Sequence, residues 1–349
     1  MSQFRKDIFT GRWVIVAETE AVRPGDFRFK KFTRGTTFCP FCETHEASTP
    51  PEIFAVRPGG SPANGPGWKV RVVPNSHLRL KIEGDLGRRP EGFHDVMNGI
   101  GADEVIIETP RHDRSLHELE VNEVEDVIRT WIARIIDLER DKRIRCVLIF
   151  KNHGEEAGAH TITHSISQLM ALPVTPCVIK AKLMAARDYY ALKERCLYCD
   201  IVKQELMYQS RAVEWDDLFV AFCPFASRVP YETWIIPAQH HCSFEEDLAS
   251  WERQYRFGRF LKSVLRRLEA VTPAYHLVLH TSPNVTAKFE RAGHWQSLAD
   301  DYHWHFEILP VQRATSKSYS IKEVYYNSLL PEVAAAELRK VGTEAEVKG

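Results

Sequence analysis

The feature that most restricts the fold of this 349-residue chain is that its chemistry-bearing residues occur twice, in the same order. Cys39-Pro40-Phe41-Cys42 opens one series and Cys196-Leu197-Tyr198-Cys199 the other. After each pair come strand-like runs, a His following a Pro-bearing turn (His112, then His240), a long helix, a strand, a loop, and a stretch in which His is followed four residues later by Gln or Glu. Repetition of this kind marks a duplicated supersecondary unit. The expected architecture is α+β, two tandem halves over residues 1–178 and 179–349 with antiparallel sheets and helices. Overlaying the halves sets His164 against His303, Ile166 against His305, and Gln168 against Glu307.

Periodicity fills in the elements. Val121, Val124, Val127, Ile128, Trp131, Ile132, Ile135 and Ile136 recur at helical spacing, with Asn122 and Glu125 as a capping box. A second long helix is expected from Phe244 to Leu268, opened by Ser243 and Glu246, and a third from Ile179 to Glu194 links the halves. Strands are expected at 13–17, 70–73, 103–109, 145–151, 218–223, 233–236, 275–280 and 302–309. If the stretch Gly158 to Gln168 runs as a strand after Thr163, then His164, Ile166 and Gln168 share one face.

Eight cysteines are present, and four of them form the two Cys-x-x-Cys pairs. The polar N-terminal residues lack the apolar core of a signal peptide, so the expected location is cytoplasmic. In a reducing compartment such pairs point to metal or redox chemistry rather than structural disulfides. A tetrahedral zinc ion takes four thiolate or imidazole ligands. The first half offers Cys39, Cys42, His112 and His164, and the second Cys196, Cys199, His240 and His303. With four protein ligands each ion would be a structural clamp, so one or two structural zinc ions per chain are expected. Thioredoxin-type redox use of the cysteines competes, but the surroundings lack a βαβ pattern. The net charge of -1 gives no field favouring nucleic acid, and no apolar run reaches the ~20 residues a bilayer requires, so neither is an expected partner.

Several motifs in order carry a resemblance over nearly the whole chain. They are Cys39-Pro-Phe-Cys42, Arg71-Val-Val-Pro-Asn75, His112-Asp-Arg-Ser-Leu116, Phe150-Lys-Asn152, Gly158 to Gln168 with Leu172-Pro173, His303-Trp-His-Phe-Glu-Ile-Leu-Pro310, and Lys322-Glu-Val-Tyr-Tyr-Asn327. Together they resemble the galactose-1-phosphate uridylyltransferase family of the histidine triad superfamily, which also contains adenylyl-transferring relatives. The resemblance implies a histidine-triad-like (HIT) unit in each half, a homodimer with active sites involving both subunits, and zinc in the first ligand set. In members with a second zinc, the ligands match the second set. Members with iron in the second half have ligands matching His280, His303 and His305, but lack the second cysteine pair.

The resemblance further implies a nucleotide held by Asn75 and Asn152, an α-phosphate held by Thr161 and Gln168, and a tail, Tyr325 and Asn327, near the active site. The family's strand reads His-x-His-x-Gln, its second His being the covalent nucleophile. Here that position is Ile166. An imidazole can attack phosphorus and leave again, whereas a sec-butyl group has no lone pair. The expectation is an atypical member that binds a nucleotide, nucleotide sugar or sugar phosphate, with nucleotidyl transfer altered or lost. His160 and His153 are spare imidazoles that could serve as a base. Two alternatives stay open: an active uridylyl or adenylyl transferase using another group, His305 being the candidate, and a non-catalytic ligand-binding scaffold.

Overall fold

The computed structural model describes residues 3–16, 38–76, 80–159, 163–285, 295–311 and 325–346. In chain order the strands are β1 (Gln3–Lys6), β2 (Trp13–Val16), β3 (Phe54–Val56), β4 (Val70–Pro74), β5 (Arg89–Glu91), β6 (His94–Val96), β7 (Ala102–Ile107), β8 (Cys146–His153), β9 (Ile166–Leu172), β10 (Ala212–Trp215), β11 (Phe219–Phe222), β12 (Thr233–Pro237), β13 (Tyr275–His280), β14 (His305–Pro310) and β15 (Tyr325–Asn327). The helices are α1 (Val121–Glu139), α2 (Cys177–Lys193), α3 (Leu197–Tyr208), α4 (Phe244–Asp247), α5 (Trp251–Val271), α6 (Leu298–Asp301) and α7 (Pro331–Glu346).

Ten strands make one sheet in the order β10-β11-β12-β14-β13-β8-β9-β7-β4-β3, every pairing antiparallel. The seam is the β13–β8 ladder, which runs from Tyr275 opposite His153 to Leu279 opposite Ile149. Reading outward from it, β8-β9-β7-β4-β3 on one side has the same order of roles as β13-β14-β12-β11-β10 on the other. The duplicated α+β unit expected from the sequence is therefore the histidine-triad-type fold observed here, with both units sharing one sheet. Just past β8, Gly154 has φ +84°, and a Cβ there would lie 2.4 Å from the Pro273 carbonyl oxygen, so only glycine lets the chain pass that close.

Side-chain alternation sorts the sheet's faces. Ser167, Leu169 and Ala171 of β9 are buried toward the helices, while Ile166 and Gln168 turn the other way and are half-buried. The helical layer is α1 and α5, whose Val124, Val127, Ile128, Trp131, Phe257, Leu261 and Leu265 join Ile149, Leu169, Leu277 and Phe306 of the sheet in one core. Trp131 donates to Ser167 Oγ at 2.9 Å, tying β9 to α1. Each cysteine pair packs on the opposite face, Cys39 and Phe41 against Val73, Val105 and Ile107, and Cys196 to Tyr198 against Phe222 and Trp234.

Three expectations are corrected. The cap of α1 is Glu120 paired with Glu123 rather than Asn122 with Glu125, so the helix begins at Val121. The long helix from 244 to 268 is two: α4, where Ser243 accepts from the Glu246 amide, and α5, capped by Ser250. His164 and His303 precede β9 and β14 instead of lying within them. The N-terminal hairpin β1–β2 pairs with β15 in a small separate sheet, and Phe9 packs against Tyr198 and Trp234 of the second half. Among the described residues no helix is long and apolar enough to cross a membrane.

Candidate functional site

On the face of the first half opposite the helices lies a cleft of about 470 Å³. Its floor is β4, β7 and β9, contributing Val73, Val105, Ile166 and Gln168, and its rim includes Phe41, Asn75, Asn152 and Gly158. The structure thus brings together His164, Ile166, Gln168, Asn75 and Asn152. The two asparagines are both held from behind. Asn75 donates to Asp103 Oδ1 at 3.1 Å, and Asn152 Oδ1 lies 2.8 Å from His276 Nδ1, a residue of the second half's β13.

The first cysteine set converges beside this cleft. Cys42 Sγ is 3.5 Å from His112 Nδ1 and 3.7 Å from His164 Nδ1, and Cys39 Sγ is 3.7 Å from His164 Nδ1. Zn–S and Zn–N bonds of roughly 2.3 and 2.1 Å at tetrahedral angles separate S from N by about 3.6 Å, so the donors already stand at the spacing of a zinc shell. Their outer nitrogens are tethered: His164 Nε2 to the Thr109 carbonyl at 2.6 Å, His112 Nε2 to Thr163 Oγ1 at 2.7 Å. Such bonds fix ring orientation at metal sites. Burial holds His164 neutral, its pKa brought down to about 4. Burial, and then the neighbouring Cys39, push the Cys42 thiol up to about 12. A dication would remove that penalty on the thiolate.

The second set is gathered likewise. Cys199 Sγ lies 3.5 Å from His240 Nδ1 and 3.2 Å from His303 Nε2, and those two nitrogens are 3.0 Å apart. Cys196 caps α3, so both thiols sit on its first turn. Hydrogen bonding from Cys196 holds Cys199 well below the usual thiol range. Both four-residue groups can hold a metal ion.

Other predicted residues lie elsewhere. His160 and Thr161 fall outside the described residues. His153 ends β8 on the seam and does not line the cleft. Tyr325 and Asn327 are in β15: the Tyr325 ring carries the Arg12 guanidinium at 4.9 Å, and Asn327 donates to the Ser227 carbonyl. His305 is fully buried, its Nε2 2.7 Å from Lys182 Nζ and its Nδ1 3.1 Å from the His303 carbonyl. It neither lines the first-half cleft nor has a ring nitrogen to spare.

Residues 90–176 match the family model described as galactose-1-phosphate uridyl transferase, N-terminal domain. Over 349 aligned residues the chain is 30% identical to ADP-glucose phosphorylase of Arabidopsis thaliana, covering 97% of this chain and 93% of that protein. The chain belongs to the galactose-1-phosphate uridylyltransferase family. Galactose-1-phosphate uridylyltransferase of Thermotoga maritima is 28% identical over 99% of this chain and 100% of its own length. The crystal structure of an ADP-glucose phosphorylase from Arabidopsis thaliana with bound ADP-glucose superposes with a TM-score of 0.77 at 28% identity, covering 97% of this chain and 99% of that one. A uridylyltransferase structure gives 0.72 at 27%, covering 99% of each.

Residue 166 presents hydrocarbon to the cleft. The carbonyl behind it is held by a residue that sequence reading passed over. Lys151 Nζ donates to the Ile166 carbonyl at 3.0 Å, to Ser165 Oγ at 3.0 Å, and to Glu108 Oε2 at 2.6 Å. The pair is buried, with side-chain exposures of 2% and 0%. The only signal was a lysine directly after the apolar run Cys146 to Phe150, still within strand β8.

Proposed function

We propose that this chain binds a nucleotide sugar, or the nucleotide and sugar phosphate that compose it, in the first-half cleft and handles it without a covalent nucleotidyl–enzyme intermediate. One observation carries this reading: Ile166 faces the cleft beside Gln168, and His164, the one imidazole among the described lining residues, has Nδ1 against the cysteines and Nε2 on Thr109. No described imidazole is left to attack phosphorus. Transfer would then be a single in-line displacement that relies on positioning, with inversion at the α-phosphorus. The likeness to the ADP-glucose phosphorylase supports an adenine nucleotide sugar, and that to the Thermotoga enzyme a uridine one. Zinc in both cysteine sets, a boundary near residue 178, and a homodimer in which Tyr325 and Asn327 serve a partner's cleft belong to the same reading.

Calorimetry with ADP-glucose, UDP-glucose, UDP-galactose and the sugar 1-phosphates, paired with trapping of α-labelled nucleotide, tests it. Binding of at least one ligand with no acid-labile label on the chain is expected. Covalent label, or failure of every ligand to bind, overturns it.

A further inference from the structure

His117, His153 and Glu269 meet at the seam between the halves. None of them lines the cleft or belongs to a cysteine set. His117 sits in the short turn Leu116–Glu118 ahead of α1, His153 closes β8, and Glu269 lies in the last turn and a half of α5. One donor atom from each lies within 4.8 Å of the other two. His153 Nε2 and Glu269 Oε2 are 3.3 Å apart, and the His117 ring meets that of His153 edge-on at 5.8 Å.

The arrangement is braced. Tyr275, opposite His153 in the β13–β8 ladder, stacks on its ring at 4.7 Å and 27°. Yet the polar atoms that converge are poorly supplied with donors: buried His117 Nδ1 makes no hydrogen bond, and Glu269 Oε2 makes none beyond its ion pair with His153. Burying such atoms without a partner is costly, and each such case calls for an explanation, an ion among them. Two imidazole nitrogens and one carboxylate oxygen are a borderline donor set of the sort zinc-class divalent ions take, and three protein ligands leave one position for water. All three side chains are half-buried.

We propose that His117, His153 and Glu269 form a third divalent-metal site, free of sulfur, that ties the first half through its two histidines to the second half through Glu269.

The test uses the full chain, stripped of metal by a chelator and titrated with Co²⁺ and then Zn²⁺. Cobalt bound by the cysteine sets shows sulfur-to-cobalt charge-transfer absorption, whereas cobalt at the seam shows ligand-field bands only. Wild type is expected to take up one more equivalent than Glu269→Gln or His117→Gln, and that equivalent adds no charge-transfer intensity. Its thermal midpoint should rise with Zn²⁺ beyond that of either variant, because an ion that binds only the folded state stabilises it. The charge-transfer bands, unchanged in the variants, report that they remain folded. Equal uptake in wild type and both variants, or no sulfur-free equivalent in wild type itself, overturns the proposal.

Discussion

Ile166 and His305 each open the strand that lies second from the seam, β9 in one half and β14 in the other. Their surroundings have diverged. Ile166 looks into an open cleft. His305 is enclosed by Trp234 at 4.9 Å, His280 at 4.8 Å and the Lys182 ammonium, and burial drives its pKa far below the usual imidazole value. The imidazole of the duplicated pair therefore stands on the enclosed side, and hydrocarbon on the side that faces the cleft.

Placing an imidazole at residue 166 is the direct test of that asymmetry. Ile166→His places a ring beside Gln168 on an already formed floor, with the backbone carbonyl of residue 166 fixed by Lys151. Acid-labile nucleotidyl label, absent from wild type, is expected on the variant after incubation with labelled ADP-glucose or UDP-glucose, at a stability cost of about 1–2 kcal/mol for removing a partly packed Ile. A well-folded variant that binds the nucleotide sugar and takes no label would show that an imidazole at residue 166 is not sufficient for covalent transfer.

The two cysteine sets should separate by consequence. Cys42 touches both histidines of its set, and His164 leads directly into the strand bearing Ile166 and Gln168. Cys42→Ser is expected to lose one equivalent of bound zinc and weaken nucleotide-sugar binding by on the order of tenfold or more, since small displacements of positioning groups are costly. Cys199→Ser should also lose zinc, yet leave cleft affinity within about twofold, because its ligands anchor the other half. Elemental analysis and calorimetry on both variants decide it.

Legibility in the sequence followed range. The convergence of each cysteine pair with two histidines could be read because Cys-x-x-Cys is local and the repeat supplied the distant histidines. The strands beginning near Val70, Asp103, Arg145, Leu218, Thr233 and Tyr275 were readable from apolar runs flanked by turns, whereas the short β5, β6 and β10 were not expected. The cap of α1 was not, because its N-cap is Glu120, outside the residues that usually cap helices. The break between α4 and α5 was missed since Leu248 to Ser250 contain neither Gly nor Pro. Nothing local reveals that β8 and β13 zip the halves into one sheet, or that Lys151 and Lys182 turn inward, because a lone lysine reads as surface until its carboxylate partner is placed in space.

Those inward lysines give a stability prediction. Lys151→Met leaves Glu108 fully buried with Ser165 Oγ as its remaining hydrogen-bond partner and releases the Ile166 carbonyl. Removing one partner of a buried pair costs about 3–5 kcal/mol, whereas replacing both by uncharged groups is often near neutral. Denaturant unfolding should therefore show a large loss for Lys151→Met and a clear recovery when Glu108→Gln is added. Additive losses in the double mutant would mean that the pair is not coupled.

Glu139 sets a pH dependence. It ends α1 near Glu245 and Glu246, and burial first, then those two carboxylates, raise its pKa from 4.5 to about 8. Between those values the folded chain keeps a proton that the unfolded chain has released. The native state therefore binds more protons, and stability must fall as pH rises through the window. Glu139→Gln keeps the shape without the charge, so its stability should match wild type near pH 4.5 and exceed it increasingly toward pH 8. Urea midpoints measured across that range test this, and parallel curves for the two proteins would place the carboxyl in ordinary solvent contact.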